Sequence, residues 1–143
     1  MKYMLDTNIF NKILDCRLSI QKLPSDGTYI VTHIQFDELN ATPDVCRRNR
    51  LLSQFEALAS ERAVTTSFAF DISRLDHAKW GDGVVFKVIK DALDIANSGK
   101  RNNAHDALIG ETSIANGFTL LTCDRHFAEA VKQQGGLVRY FNV

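Results

Sequence analysis

The chain begins Met1-Lys2-Tyr3-Met4-Leu5-Asp6-Thr7-Asn8, a strand-to-helix junction with an acid at its turn. Lys2 to Leu5 reads as a short buried strand. Asp6 ends it where an amphipathic run starts, with Ile9, Phe10, Ile13 and Leu14 at helical spacing. In a parallel α/β sheet, ligand sites form at the carboxyl ends of strands. A carboxylate there is poorly solvated unless something positive shares the space. The rest of the chain is therefore read for acids that join Asp6.

The alternation continues beyond this point. Tyr29 to Thr32 is β-branched and aromatic, a second strand, and a short helix with Phe36, Glu38 and Leu39 follows. Thr42 as N-cap and Pro43 as first helical residue open a helix in which Val45, Leu52, Phe55 and Ala59 recur up to Ser60. Arg62 to Thr66 reads as a third strand and Ile72 to Trp80 as helix, with a turn at Gly81-Asp82-Gly83. Val85, Val88, Ile89, Ala92 and Ala96 mark another helix, ended by Asn97-Ser98-Gly99. After the polar loop Lys100-Arg101-Asn102-Asn103, a helix is predicted from about Ala104 to Asn116-Gly117. Phe118 to Thr122 is a strand, Arg125 to Gln134 a helix and Leu137 to Phe141 the last strand. Strands separated by helices predict an α/β fold with a mainly parallel sheet covered on both faces. Right-handed crossovers put every strand-to-helix junction on one edge.

Length and composition agree with this. A chain of 143 residues predicts a single domain, long enough to bury a sizeable core. Hydrophobic residues make up 45% and charged residues 24%, which excludes a disordered chain. No apolar run approaches the ~18 residues of a spanning helix, and no signal-peptide pattern opens the chain. The expectation is a cytoplasmic protein with no membrane partner. Lys plus Arg number 17 and Asp plus Glu 17, so any basic surface must be local. Cys16, Cys46 and Cys123 have no C-x-x-C spacing and read as reduced thiols.

On this topology four acids meet at one edge. Asp6 follows strand one, Glu38 lies about one and a half helical turns past strand two, Asp124 closely follows Thr122, and Asp106 falls in the first turn of its helix. Each has a local explanation. Asp6 and Asp124 suit N-caps. Asp106 follows Asn103 in a capping-box-like spacing and suits the positive helix end. Glu38 fits a solvated helix face. Local capping does not explain why all four fall near one edge. Two like charges ~4 Å apart repel by about 4 kcal/mol at an effective dielectric of 20, so such a cluster holds protons or captures a cation. Oxygen ligands without paired His or Cys suit Mg2+ or Mn2+ rather than Zn2+. A cation so held activates water and neutralises a phosphate oxygen, which points to phosphodiester hydrolysis.

These residues resemble the PIN-domain family, which includes the VapC-type ribonuclease toxins of toxin–antitoxin modules. Leu5-Asp6-Thr7-Asn8, Thr32 through Glu38-Leu39, Asp106-Ala107-Leu108-Ile109-Gly110, and Leu121-Thr122-Cys123-Asp124-Arg125-His126-Phe127 are similar to its four motifs, in its order. The resemblance covers nearly the whole chain and implies a three-layer α/β/α PIN-like fold. It implies Asp6, Glu38, Asp106 and Asp124 as the catalytic, metal-binding acids, with Asn8 and Thr122 orienting them by hydrogen bonds. It implies a Mg2+- or Mn2+-dependent endoribonuclease leaving 5′-phosphates. A cognate antitoxin that inserts a basic residue among the acids is a partner it suggests, and so is a homodimer. Gln35 departs from the family pattern, where Thr or Ser is common, and puts one hydrogen bond in doubt.

Other residues are weighed singly. Lys100 and Arg101 precede the helix of Asp106 and are the candidate RNA contacts. Arg47, Arg48 and Arg50 fit a solvent-facing cluster or one that covers an acidic antitoxin segment. His105 and His126 read as exposed, Glu111 as solvated, Cys123 as a small packing residue, and Trp80 and the nine Phe as core. Two rivals remain. A phosphatase on a related fold would carry a second Asp where Asn8 stands. A non-catalytic PIN-like scaffold would bind RNA or protein without cutting.

Overall fold

The computed structural model describes residues 1–65, 83–100 and 102–143. It contains strands β1 (Lys2–Leu5), β2 (Thr28–Val31), β3 (Glu61–Arg62), β4 (Thr119–Thr122) and β5 (Leu137–Tyr140). The helices are α1 (Thr7–Leu14), α2 (His33–Asn40), α3 (Val45–Leu58), α4 (Val84–Asn97), α5 (Asn103–Ala115) and α6 (Arg125–Gln133). The strands form one sheet in the order β3-β2-β1-β4-β5, every pair parallel.

That order fixes where a site belongs. The chain winds outward from β1 through β2 to β3, then returns to the other side of β1 with β4 and β5. The winding reverses between β1 and β4, the place where open parallel sheets form their ligand crevice. Asp6 sits at this reversal, and its N–H extends the β1–β4 ladder by donating to Leu121 O at 3.0 Å.

Side chains alternate across the sheet and make two cores. Met4, Ile30 and Leu120 pack on one face against Ile89 and Leu93 of α4, Leu108 of α5, and Phe127 and Val131 of α6. Tyr3, Leu5, Val31 and Leu121 pack on the other against Ile9 and Phe10 of α1 and Leu51 and Phe55 of α3. Helix α2 contributes Ile34 to the first core and Leu39 to the second. The result is three layers, α/β/α. Phe10, Phe55 and Phe127 are fully buried, as expected of core aromatics. Trp80, the helix expected over Ile72 to Trp80 and the first two residues of the Gly81-Asp82-Gly83 turn lie outside the described residues.

Several local expectations are corrected. Helix α3 starts at Val45, not Pro43, because Asp44 is the N-cap and accepts from Arg47 N at 2.8 Å. Thr66, the expected end of the third strand, lies outside the described residues, and among these the strand is only Glu61–Arg62, paired with Ile30 and Val31. It stops early because β2 ends at Val31, and Thr32 turns to cap α2 instead of continuing the ladder. Asn103 is no cap for Asp106. It is buried, and its side-chain amide donates to Asp94 Oδ1 at 2.7 Å and to Asn97 Oδ1 at 2.8 Å, tying the start of α5 to the end of α4.

Glu111 is not solvated. It is 6% exposed, and its Oε2 accepts from Phe86 N at 3.0 Å. Gly83 precedes α4 with no side chain to cap it, so Glu111 supplies the missing acceptor from the neighbouring helix. Gln35, the departure from the family motif, also has a defined task. Its Oε1 accepts from Thr32 N at 2.9 Å, and its Nε2 donates to Leu5 O at 2.8 Å. One amide thus closes the capping box of α2 and clasps the ends of β1 and β2 together.

Candidate functional site

Asp6 stands in the N-cap position of α1 but makes no side-chain cap hydrogen bond. Its carboxylate, 3% exposed, instead accepts from Thr122 Oγ1 at 2.7 Å, across the β1–β4 boundary. Thr122 Oγ1 in turn accepts from Asp124 N at 3.0 Å and from Asn8 Nδ2 at 3.4 Å. Asn8 Oδ1 accepts from Cys123 N at 3.2 Å. Asn8 therefore makes its side-chain hydrogen bonds to Thr122 and Cys123 rather than to a carboxylate of the described residues. It steadies the β4–α6 turn and the hydroxyl that holds Asp6.

Glu38 projects from α2 with its side chain 13% exposed. Its Oε1 accepts from Thr7 Oγ1 at 2.6 Å, and its Oε2 lies 3.6 Å from His105 Nδ1. Asp6, Glu38 and Asp106 line one cleft of about 210 Å3, together with Thr7, Asn8, Asn11 and Asn102. Asp124 differs. Its Oδ1 accepts from Phe127 N at 3.1 Å as the N-cap of α6, and it is not on the wall of the cleft. As the side chains stand, no three His, Cys, Asp or Glu among the described residues are gathered at the spacing of metal ligands. Three of the four acids have separate tethers: Thr122 for Asp6, Thr7 for Glu38, and the α6 backbone for Asp124.

The electrostatics are those of unbalanced negative charge. Burial pushes the Asp6 carboxyl up to about 7; the Thr122 hydrogen bond opposes this, and the charges of Glu38 and Asp124 add to it. Asp106 is also held well above the usual carboxylate range, by burial first and then by Asp6, Glu38 and Asp124, with Lys100 opposing. Burial and Asp6 raise the Cys123 thiol to about 11, which suits a packing residue rather than a nucleophile. Among the described residues no Lys or Arg forms an ion pair with these four acids.

The basic candidates stand elsewhere. Arg47 pairs with Asp15 at 2.7 Å and donates to Asn11 Oδ1 at 3.0 Å, and Arg48 donates to Thr42 O at 3.2 Å. Arg50 and His126 are exposed. Lys100 is exposed and close enough to Asp106 to act on its charge, while Arg101 lies outside the described residues. His105, expected at the surface, is instead half-buried against Glu38. Thr7 was visible in the Leu-Asp-Thr-Asn motif, but the motif alone does not reveal that its hydroxyl faces Glu38.

The sheet order, its reversal at β1 and the flanking helices define a PIN-like α/β fold, of the kind seen in VapC structures. Among the solved structures that share this fold are members of toxin–antitoxin systems. The chain is similar to one in VapBC2 from Rickettsia felis, a structure bound to a DNA fragment from its promoter. That match has a TM-score of 0.60 at 17% identity and covers 99% of this chain and 100% of that one. VapBC-5 from Mycobacterium tuberculosis matches with a TM-score of 0.53 at 20% identity, over 99% and 98% of the two chains. FitAcB from Neisseria gonorrhoeae matches with a TM-score of 0.52 at 15% identity, over 95% of each. What is shared at such identities is the fold. No family model matches the sequence, and no curated protein matches it. No helix among the described residues is long and apolar enough to cross a membrane.

Proposed function

We propose that the chain is a metal-dependent endoribonuclease whose cleft binds Mg2+ or Mn2+, and that it acts as the toxin of a toxin–antitoxin module. The observation that carries this is Asp6: a buried carboxylate at the reversal point, sharing its cleft with Glu38 and Asp106 and near enough to Asp124 to feel its charge, with no Lys or Arg paired to these acids among the described residues. A site that raises its own carboxyl pKa values is prepared for a cation, and an all-oxygen donor set fits a hard one.

Asp6, Glu38 and Asp106 would hold the ion, with Asp124 adding negative charge beside them. When bound, the ion supplies charge neutralisation at a phosphate oxygen and a more acidic water. The chain's own residues do the positioning. Thr122 fixes one Asp6 oxygen, Thr7 fixes one Glu38 oxygen, and Asn8 holds the turn that carries Thr122. Asn11 and Asn102 offer amides along the cleft wall, where an RNA strand would pass. Lys100, exposed and close enough to Asp106 to act on its charge, and Arg101, which follows it in the sequence before α5, would serve as phosphate contacts. An antitoxin is the partner this reading implies, since several of the structures it resembles come from toxin–antitoxin systems.

The test is to incubate purified protein with total RNA, with Mn2+ or with chelator, and to map the ends. Mn2+-dependent cuts with 5′-phosphates are expected. No cleavage, together with a melting temperature indifferent to Mg2+ and Mn2+, would instead favour the non-catalytic scaffold.

A further inference from the structure

Among the described residues, Glu38 is approached on both carboxylate oxygens by side chains from other helices. Thr7 of α1 donates to Oε1 at 2.6 Å. On the opposite side His105 of α5 brings Nδ1 to 3.6 Å from Oε2. The ring is 30% exposed, but its Nδ1 is shut off from solvent and has no hydrogen-bond partner among the described residues. A buried polar nitrogen left unpaired destabilises the fold, and Nδ1 lies only a few tenths of an ångström beyond hydrogen-bond distance of the Glu38 carboxylate.

We propose that His105 is a positioning residue: it donates from Nδ1–H to Glu38 Oε2 and, with Thr7, clamps that carboxylate over the cleft. The clamp joins α1, α2 and α5 through one side chain. It also selects a tautomer. A free neutral imidazole carries its proton mainly on Nε2, whereas a ring facing Glu38 must carry it on Nδ1. The consequence for metal binding rests on the proposed function; the contact itself does not. A carboxylate loose in rotamer space must be ordered when it takes up an ion, and losing such an orienting partner weakens metal sites by about 10–100-fold.

Nitrogen NMR of the metal-free protein tests the contact, at a pH about two units above the usual histidine value of about 6.5. Proton occupancy on Nδ1 of His105 in the wild type, reverting to Nε2 in Glu38→Ala, is expected. A ring already protonated on Nε2 in the wild type overturns the proposal. Mn2+ titration of His105→Leu and His105→Asn then reads the consequence. The Asn amide nitrogen takes the place of Nδ1, so Leu is expected to weaken Mn2+ binding about tenfold or more and Asn to restore most of it. Equal loss in both variants, or none in Leu, overturns the positioning role. A wild type that binds no Mn2+ refutes the metal site instead, and leaves the contact to be decided by the tautomer.

Discussion

Asp6→Asn is expected to reduce Mg2+- or Mn2+-dependent RNA cleavage by about a thousandfold or more, about 4 kcal/mol of transition-state stabilisation. The exchange is nearly isosteric. The Asn carbonyl oxygen can still accept from Thr122 Oγ1, so the bond across β1 and β4 survives. What disappears is the negative charge at the centre of the site. Single-turnover cleavage of a mapped RNA, with circular dichroism to check the fold, measures the effect. A folded variant that cuts at the wild-type rate removes Asp6 from the chemistry.

The same substitution is expected to stabilise the metal-free protein, and only at higher pH. In the unfolded chain the Asp6 carboxyl titrates near 3.8, and in the folded state at about 7. Between these values folding takes up a proton, so stability falls as pH rises through the window. Below it both states are protonated and Asp6 has no effect; above it the full cost is present. A carboxyl moved from 3.8 to about 7 corresponds to about 4 kcal/mol, as an order of magnitude. Asn is uncharged throughout. Denaturant unfolding in chelator should therefore give wild type and Asp6→Asn similar stability near pH 4, with the variant increasingly ahead toward pH 8. Mn2+ should reverse the order at pH 8 by binding the native wild type. A difference independent of pH would mean that Asp6 is not held against its charge.

Much of this arrangement was legible in the residues. Lys2–Leu5 and Thr119–Thr122 are short apolar runs ending at Asp6 and just before Asp124, and parallel crossovers force such ends to one edge. Asp106 falls in the first turn of α5 because the Asn97-Ser98-Gly99 stop and the polar loop locate that helix start. What the sequence did not reveal are pairings set by how helices cross. Thr7 with Glu38 and Glu111 with Phe86 N join residues 31 and 25 positions apart. Nothing in a local pattern distinguishes Glu111, a buried cap for its neighbour, from a solvated glutamate on the same helix. The third strand shows the opposite failure. Arg62-Ala63-Val64-Thr65 has the composition of a longer strand, but β2 offers it no partner beyond Val31. His105 was hidden for a related reason: its place against Glu38 depends on the α2–α5 approach, which adjacency to Asp106 does not disclose.

Asp6, Glu38 and Asp106, brought to one cleft from three elements, are expected to close on a single divalent ion. Crystals grown with Mn2+ and examined by anomalous scattering test this. A strong peak in the cleft, bonded to carboxylate oxygens of Asp6 and of at least one of Glu38 and Asp106, is the predicted result. A cleft without a peak at Mn2+ concentrations that support cleavage, or a peak bound elsewhere on the chain, would contradict it.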